Sequence, residues 1–289
     1  MLYESLSGKR KILTASLLLA LLVSASAGTF SLKSSVAGSS AGQTEDSWTT
    51  MASMPTARTG VGIGVVGGRI YAIGGQAMSG ATDVNEMYDP ETNTWTTKTS
   101  IPQANGTTVD GGSGTAVYQN KIYCFGWELN QVYDTATDSW ATKTPSPTPR
   151  TTSTACTING KIYLIGGFDT FFLGNPIRSN VNEMYDPVSD SWTTMAPLPT
   201  AVAYCISAVV NNKIYVFGNT GGGNNETQIY DPQTNTWSYG PSMPYHVSYE
   251  AGAATTGVCA AKKIYLIGGN VYSDEFDPET GLIKPGPLT

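Results

Sequence analysis

Short apolar runs rich in β-branched and aromatic residues recur along the chain and end at glycine. Five segments share this pattern: RIYAIGG at 69–75, KIYCFGW at 121–127, KIYLIGG at 161–167, KIYVFGN at 213–219 and KIYLIGG at 263–269. Runs of this length that are bounded by glycine predict buried β-strands. The paired glycines allow positive φ and a close approach of neighbouring backbone. Small residues lie before the runs, as at 60–66 and 251–254, and predict an innermost strand crowded by its neighbours.

A second phrase follows each run: YDPETNTW at 88–95, YDTATDSW at 133–140, YDPVSDSW at 185–192, YDPQTNTW at 230–237 and the degenerate FDPETGLI at 276–283. In the first four phrases the tryptophan comes seven residues after the tyrosine, whereas the distance between the two phrases varies. Asp-Pro followed by Asn, Asp or Gly is typical of a turn between two strands. Each repeat of about 50 residues therefore predicts a four-stranded antiparallel blade, with its tyrosine and tryptophan packed between blades.

The order and spacing of these phrases match a known repeat. IYxxGG comes first, then YD, then a tryptophan seven residues after the tyrosine, with a proline-containing link that sometimes holds arginine. This combination resembles the kelch repeat over residues 48–289. It departs from the repeat at Trp127 and Asn219, which replace the second glycine, and at Ile283, which replaces the last tryptophan. The resemblance implies an all-β fold, a kelch-type β-propeller of four-stranded antiparallel blades with five repeats visible.

How such a propeller closes is open to two interpretations. Trp48 belongs to a fourth strand that has no IY phrase before it. That strand completes the last blade of a five-bladed ring, unless residues 281–289 form the same strand themselves. Kelch propellers usually have six or seven blades, so the alternative is an incomplete six-bladed ring.

The N-terminal segment reads as a secretory signal peptide over residues 1–27. Lys9, Arg10 and Lys11 precede an apolar stretch at 12–23, and Ala25-Ser26-Ala27 forms a cleavage site. The alternative is an uncleaved anchor, for which the apolar stretch is short. Cleavage leaves a Ser/Gly-rich linker at 28–46 and the propeller at 47–289. We therefore expect a secreted or cell-envelope protein with no membrane insertion after cleavage.

Composition narrows the possible partners. The chain is 40% hydrophobic and 13% charged, and its net charge of −6 becomes −8 once residues 1–27 are removed. An acidic body without a basic cluster argues against nucleic acid and against anionic membranes. No motif for a metal or a cofactor is recognisable. Each of the four cysteines falls in a predicted strand, which favours core packing over disulfides: Cys124, Cys156, Cys205 and Cys259.

The geometry of a four-stranded meander brings two kinds of variable connection to one face. These are the loops after the second strand and the segments that enter the next first strand. The loops after the second strand are predicted at 76–85, 127–131, 168–180, 219–227 and 270–273. The longest holds Phe171, Phe172 and Arg178, and the two phenylalanines are either a contact patch or a local plug.

The entry segments carry further candidate ligand-binding residues. Arg58, Asn105 and Arg150 each come three residues after a proline, where the kelch resemblance implies arginines that line a ligand pocket. The alternative for the arginines is hydrogen bonding to loop carbonyls. Trp127 is a candidate for ring stacking on a sugar or partner. His246 lies close in sequence to Tyr249 and Glu250, and its ordinary pKa suits proton transfer.

A complete structural repeat beside an almost empty catalytic inventory favours a non-enzymatic, exported recognition module that binds a protein or glycan. One alternative is a small enzyme on acidic sugars, similar to the sialate mutarotases, with arginines that hold a carboxylate and Glu250 or His246 that moves a proton. A structural cell-envelope protein is the other.

Overall fold

The computed structural model of the chain describes residues 50–102, 114–172, 175–219, 225–243, 250–254, 264–268, 272–280 and 282–285. These residues form five four-stranded antiparallel sheets and two smaller sheets. No helix occurs among them, and thus none that could cross a membrane.

The described strands up to residue 142 are β1 (Arg58–Thr59), β2 (Gly62–Val66), β3 (Arg69–Ile73), β4 (Gln76–Ala77), β5 (Gly80–Ala81), β6 (Asn85–Asp89), β7 (Thr94–Lys98), β8 (Thr115–Tyr118), β9 (Lys121–Gly126), β10 (Leu129–Asp134) and β11 (Ser139–Thr142). The remaining strands are β12 (Thr154–Ile158), β13 (Lys161–Ile165), β14 (Phe168–Phe172), β15 (Asn175–Arg178), β16 (Asn182–Asp186), β17 (Ser191–Thr194), β18 (Ala203–Val210), β19 (Lys213–Asn219), β20 (Gln228–Asp231), β21 (Thr236–Tyr239), β22 (Glu250–Ala254), β23 (Ile264–Gly268), β24 (Tyr272–Phe276) and β25 (Ile283–Pro285).

The five four-stranded sheets are the predicted blades. Blade 1 is β2-β3-β6-β7, blade 2 is β8-β9-β10-β11 and blade 3 is β12-β13-β16-β17. Blades 4 and 5 are β18-β19-β20-β21 and β22-β23-β24-β25. The IY phrase forms the second strand of every blade, and the second phrase forms the end of the third strand, the turn and the start of the fourth.

Blades pack through their second and third strands, and aromatic rings lie at each junction. The tyrosine of the IY phrase contacts the tyrosine or phenylalanine of the next blade's second phrase, with ring centroids 5.6 to 5.9 Å apart: Tyr71–Tyr133, Tyr123–Tyr185, Tyr163–Tyr230 and Tyr215–Phe276. Four buried apolar clusters coincide with these four junctions. The predicted packing of the repeat aromatics between blades is confirmed.

Glycine is required where neighbouring backbone comes close. A Cβ on Gly64, in the first strand of blade 1, would lie 2.8 Å from the Ile122 side chain of blade 2. Gly75 has a φ of 97°, and a Cβ there would lie 2.6 Å from the carbonyl oxygen of Thr59. Both positions therefore serve the close approach that the glycine pattern predicts.

A repeated set of hydrogen bonds, here called the clamp, joins the segment that leaves one blade to the next blade. In blade 3, the Tyr185 hydroxyl donates to Asp190 Oδ1, which also accepts from the main-chain N–H of Thr144 at 3.0 Å. Trp192 Nε1 donates to the Thr144 carbonyl at 2.8 Å. The same bonds recur in blades 1, 2 and 4, with Asn93, Asp138 and Asn235 in the place of Asp190.

Three of the cysteines are buried free thiols. Cys124 packs at the junction of blades 1 and 2, and Cys156 and Cys205 pack at the junction of blades 3 and 4. Burial raises the pKa of each thiol to about 12. The core-packing interpretation is confirmed for these three, and Cys259 lies outside the described residues.

The fifth blade takes its fourth strand from the end of the chain. β25 pairs with β24, and Ile283 lies opposite Phe276 as Trp95 lies opposite Tyr88 in blade 1. The interpretation in which residues 281–289 supply the last strand of the fifth blade is therefore the one that the structure supports. Trp48, on which the other interpretation depended, lies outside the described residues.

Candidate functional site

The entry segments and the connections after the second strands lie side by side, as the meander geometry predicts. In blade 1 the entry strand β1 pairs with β4 of the connection. In blade 3 Thr151 of the entry segment exchanges both main-chain hydrogen bonds with Phe168 of the connection. Val202, which enters blade 4, pairs with Ser179 of the same connection. These two kinds of variable segment thus form one surface, here called the entry face.

The connections on the entry face contain secondary structure of their own in blades 1 and 3. In blade 1 the connection holds the β4–β5 hairpin, and in blade 3 it holds the β14–β15 hairpin. In blade 2 it is a turn of two residues, Trp127 and Glu128, and the rest of the predicted loop belongs to β10. The segments predicted at 76–85 and 168–180 thus connect the second and third strands as expected and hold hairpins, whereas only Trp127 and Glu128 of the segment predicted at 127–131 lie outside strands. Gly, Asn and Pro in these segments mark the hairpin turns and ends rather than irregular chain.

The two arginines of the entry segments are buried and paired with glutamates. Arg58 Nη1 donates to Glu86 Oε2 at 2.8 Å, and Arg150 Nη1 donates to Glu183 Oε2 at 2.6 Å. Both arginine side chains are 0% exposed. The second guanidinium nitrogen of each donates to a main-chain carbonyl at 2.8 Å, that of Ala72 or Leu164. Both arginines therefore make the hydrogen bonds to main-chain carbonyls that the sequence left open as an alternative. Contact of Arg58 and Arg150 with a ligand stays a prediction.

The partner glutamates are residues that the sequence reasoning missed. Glu86 and Glu183 each lie two residues before the tyrosine of the second phrase. A threonine of the same entry segment donates to the other carboxylate oxygen at 2.8 Å, from Thr56 and Thr148 respectively. Burial lowers the pKa of Arg150, and the Glu183 carboxylate acts in the opposite direction. Because both charges are buried, each depends on the other for compensation.

Blades 2 and 4 lack the arginine, and they also lack a carboxylate at the position of Glu86 and Glu183. Gln131 replaces the glutamate in blade 2, where Asn105 stands at the arginine position, and Gln228 replaces it in blade 4, where Val202 stands there. Gln228 Nε2 donates to the Thr200 carbonyl at 3.0 Å, and its Oε1 accepts from the Thr200 N–H at 2.9 Å. The side chain at this position thus keeps a polar contact to the entry segment in blade 4, but it is neutral there and charged in blades 1 and 3.

Trp127 lies on the entry face as expected. It is half-buried in the turn between β9 and β10, and the following Glu128 is exposed with a φ of 54°. The ring replaces the glycine that blades 1, 3 and 5 have at this position. Ring stacking on a ligand stays a prediction for Trp127.

The blade 3 hairpin brings an aromatic pair and an arginine together. Phe168 is 6% exposed and meets the ring of Tyr204 edge to face, with centroids 5.3 Å apart. The Arg178 guanidinium lies 6.0 Å from the centroid of the Phe168 ring. Phe171 and Phe172 are part of β14, and their side chains lie outside what the structure describes. The choice between a contact patch and a plug therefore stays open for these two.

The candidates of blades 2 and 5 fall largely outside the described residues. Asn105, His246 and Tyr249 belong to segments that the structure does not describe. Glu250 begins β22, opposite Gly268, on the innermost strand of blade 5. Their roles in ligand binding stay predictions.

The turn into the first strand is left-handed in three blades. Gly60, Thr152 and Tyr204 each come two residues after the arginine position, with φ of 61°, 53° and 50°. Glycine adopts this conformation freely, whereas a β-branched or bulky residue there costs about 1–2 kcal/mol. The Thr152 hydroxyl is also buried without a hydrogen-bond partner. Blades 3 and 4 therefore hold strained residues on the entry face.

No group of three or more potential metal ligands occurs within the described part of the chain.

Known proteins resemble this chain over the residues that carry the repeat. The family model described as the KLHDC2/KLHL20/DRC7 Kelch-repeats domain matches residues 129–269, and the Kelch motif model matches residues 57–102. Beta-scruin of Limulus polyphemus is 26% identical over 59% of this chain and 14% of its own length. Kelch-like protein 26 of Danio rerio is 29% identical, and Kelch-like protein 36 of Rattus norvegicus is 31% identical. Both are matched over 59% of this chain and 29% of their own length, so the chain spans less than a third of these relatives.

A solved structure described as the structure of YjhT has a similar fold. It superposes with a TM-score of 0.69 at 16% sequence identity, over 84% of this chain and 88% of that one. The blades and the repeated tyrosine, tryptophan and glycine positions define a β-propeller built of kelch blades. The chain belongs to the kelch-repeat family.

Proposed function

We propose that the chain is a non-enzymatic recognition module that binds a protein or glycan partner on its entry face. The observation that supports this proposal is that the recurring residues of the repeat and its variable connections have different roles. The recurring tyrosines, tryptophans and Asp or Asn turn residues are engaged in blade packing and in the clamp, whereas the connections of blades 1, 2 and 3 on the entry face differ: a short hairpin, a two-residue turn and a longer hairpin. Variable segments on a rigid scaffold are where binding residues concentrate.

Export is part of the proposal and depends on the N-terminal pattern alone. Lys9 to Lys11, the apolar stretch and Ala25-Ser26-Ala27 support cleavage after Ala27 and a secreted or envelope location. N-terminal sequencing of the protein recovered outside the cytoplasm of its native host should begin at Gly28. A chain that stays inside the cell with its first residues intact would contradict the export proposal.

The acidic-sugar enzyme has lost part of its support. That alternative used Arg58 and Arg150 to hold a substrate carboxylate, and both guanidinium groups are already held by Glu86 and Glu183. No described contact on the entry face favours it over recognition.

Two measurements on residues 28–289 test the proposal. Ligand-observed NMR against a sugar panel that includes sialic acids reads binding as line broadening and catalysis as faster anomer exchange. A photo-reactive residue in place of Trp127 reads contact with a protein partner, and the matched control replaces Val188, which is 79% exposed in the turn between β16 and β17.

We expect either sugar broadening that Trp127→Ala weakens and Val188→Ala does not, or cross-links from position 127 and none from position 188. Accelerated anomer exchange would overturn the non-enzymatic assignment. Cross-links from position 188 alone would overturn the assignment of the face.

A further inference from the structure

Blade 1 exposes apolar side chains that the other blades bury at their junctions. Ile63 and Val65, in its first strand β2, are 49% and 58% exposed. Met51, in the segment that leads into the blade, is 45% exposed. Scattered exposed apolar side chains are common on proteins, whereas several on one side of one blade mark an interaction surface.

The residues equivalent to Ile63 and Val65 in blades 2 to 4 are partly buried. By strand register these are Thr115 and Val117 in blade 2, Ala155 and Thr157 in blade 3, and Ser207 and Val209 in blade 4. Val117 and Val209 pack against the apolar clusters at the junctions with blades 1 and 3, respectively. The Thr157 hydroxyl donates to the main-chain carbonyl of Val117 in blade 2 at 2.8 Å. Ile63 and Val65 therefore lie on the side of blade 1 where a preceding blade would pack.

Met51 extends the same side of blade 1. It stands one residue before Ala52, which makes the clamp bonds of blade 1. Met195 stands one residue before Ala196, which makes the clamp bonds of blade 4, and Met195 packs against the apolar cluster at the junction of blades 3 and 4. Met51 therefore has the position of a junction residue without a junction around it. We call this surface the blade 1 side, defined by Met51, Ile63 and Val65.

Blade 5 does not cover the blade 1 side. The first strands of successive blades pack against one another from blade 1 to blade 5: β2 on β8, β8 on β12, β12 on β18 and β18 on β22. β22 and β2, both of which the structure describes, do not pack on each other in this way. Within one copy of the chain, the blade 1 side thus lacks the contact that the equivalent sides of blades 2 to 5 have.

Blade 5 carries the other half of such a junction. In blades 1 to 4 the IY tyrosine and the residue two positions later pack against the following blade: Tyr71 and Ile73, Tyr123 and Phe125, Tyr163 and Ile165, and Tyr215 and Phe217. Blade 5 has Tyr265 and Ile267 at these positions of β23, and the described residues include no blade after it. We call the face of blade 5 that bears these two positions the blade 5 side.

We propose that the blade 5 side of one copy of the chain packs against the blade 1 side of a second copy. The two sides correspond to the two halves of a junction that the chain already forms four times, so a second copy presents what each half lacks. Because the two sides differ, the contact is head-to-tail, and every copy that is added leaves one side of each kind free. The contact uses the sides of blades 1 and 5 rather than the entry face, so it holds or fails independently of the proposed recognition function.

Sedimentation velocity of residues 28–289 over a series of concentrations tests the inference. We expect the average mass to rise from that of a monomer as the concentration increases. Val65→Glu should weaken this self-association at least about tenfold, because it places an unpaired carboxylate in an apolar contact. Val188→Glu is the matched control, since it adds the same charge at an exposed position in the turn between β16 and β17, and it should leave the association unchanged. A parent that stays monomeric at every concentration, or equal losses in the two variants, would overturn the inference.

Mixing two variants distinguishes a head-to-tail contact from a symmetric one. Ile267→Glu blocks the blade 5 side, so by itself it should be as monomeric as Val65→Glu. An equimolar mixture of the two should form 1:1 dimers and nothing larger, because the blade 5 side of one variant and the blade 1 side of the other remain intact. If the mixture stays monomeric, or if Ile267→Glu associates as the parent does, a symmetric contact or another surface is responsible and the inference is wrong.

A titration keeps the inference testable if Ile267→Glu does not fold. Val65→Glu replaces an exposed side chain and keeps the blade 5 side, so an excess of it should bind the blade 1 side of a fluorescently labelled parent. The labelled oligomers should then shrink to dimers of one parent and one variant. Labelled oligomers that do not change in size would contradict a head-to-tail contact.

Discussion

The arginine at the blade entry forms a buried ion pair in blades 1 and 3, and its effect on stability follows from that burial. A buried ion pair is weak evidence for net stability, but removing one partner leaves an uncompensated buried charge. The chain itself contains the neutral version of the same contact, with Val202 and Gln228 in blade 4.

Replacing Arg150 should therefore be far more costly than replacing the pair. Arg150→Val alone should lower the free energy of unfolding by about 3–5 kcal/mol, because Glu183 is left charged and buried. Arg150→Val/Glu183→Gln reproduces the blade 4 combination, and we expect its loss to be smaller by at least about 2 kcal/mol. Denaturant unfolding of residues 28–289 measures both. Equal losses would show that the two residues are not coupled.

This pairing was accessible from the sequence, although it was missed. Glutamate stands two residues before the repeat tyrosine in the blades that have the arginine, and glutamine stands there in blades 2 and 4. Comparing the same position across blades 1 to 4 would have shown that the charges change together, whereas blade 5 has Asp274 there and Val247 at the arginine position. The strained conformations of Thr152 and Tyr204 were not accessible in this way, because only the glycine at the equivalent position in blade 1, Gly60, signals a positive φ.

At the scale of the element, the turn of the second phrase recurs in four blades, with either aspartate or asparagine as its hydrogen-bond acceptor. Its clamp residue is aspartate in blades 2 and 3 and asparagine in blades 1 and 4. The hydrogen bond from Tyr133 holds the pKa of Asp138 below its usual value. Burial acts to raise the pKa of Asp190, but hydrogen bonds from Tyr185 and the main chain of Thr144 bring it below its usual value.

These lowered pKa values predict how stability responds to acid. Each carboxylate stabilises the fold while it is ionised, so its contribution is present above the unfolded pKa near 3.8 and is lost as the pH falls through the lower folded pKa. Asp138→Asn/Asp190→Asn keeps the clamp as blades 1 and 4 have it, without the ionisable group. We expect its free energy of unfolding to fall less steeply than that of the parent below about pH 4.

Urea unfolding at a series of pH values measures this slope. Met78→Gln is the control, because Met78 is fully exposed in blade 1 and its replacement leaves the clamps and every carboxylate in place, and its slope should equal that of the parent. A double clamp variant with an unchanged slope would show that these turns do not contribute to acid sensitivity.

The elements of the repeat could be predicted because their residues alternate and their turns are marked. The IY phrases form the second strands, and the second phrases form the end of the third strand and the start of the fourth in every blade. The inserted hairpins could not be predicted in the same way. β14 and β15 hold Asp169, Asn175 and Pro176, which by composition favour a loop, and they pair because their bases are held by Thr151 and Val202 of neighbouring entry segments.

At the scale of the whole molecule, the junction of blades 4 and 5 differs from the three before it. Blade 5 has Phe276, Gly281 and Ile283 where the other blades have the clamp tyrosine, its Asn or Asp partner and the tryptophan. The corresponding residue that leaves blade 4 is Pro241, which has no N–H to donate. Among the residues that the structure describes, this junction is packed by apolar side chains: Phe276 is 1% exposed and contacts Tyr215 and Phe217.

This junction should therefore open first. Each clamp bond contributes about 0.5–1.5 kcal/mol, and their loss lowers the cost of separating blade 5 from blade 4. Hydrogen exchange of residues 28–289, read by mass spectrometry, should show faster exchange in β23 and β24 than in the corresponding strands β13 and β16 of blade 3. The variant Phe276→Tyr/Gly281→Asn/Ile283→Trp restores two of the three bonds, the hydroxyl to the amide oxygen and the indole to the Pro241 carbonyl. It should slow exchange in blade 5 and leave β13 and β16 unchanged. Pro241 cannot donate the third bond, so adding Pro241→Thr to that variant should slow exchange further. If neither variant slows exchange, apolar packing alone sets the stability of this junction, and the clamp has no part in holding these blades together.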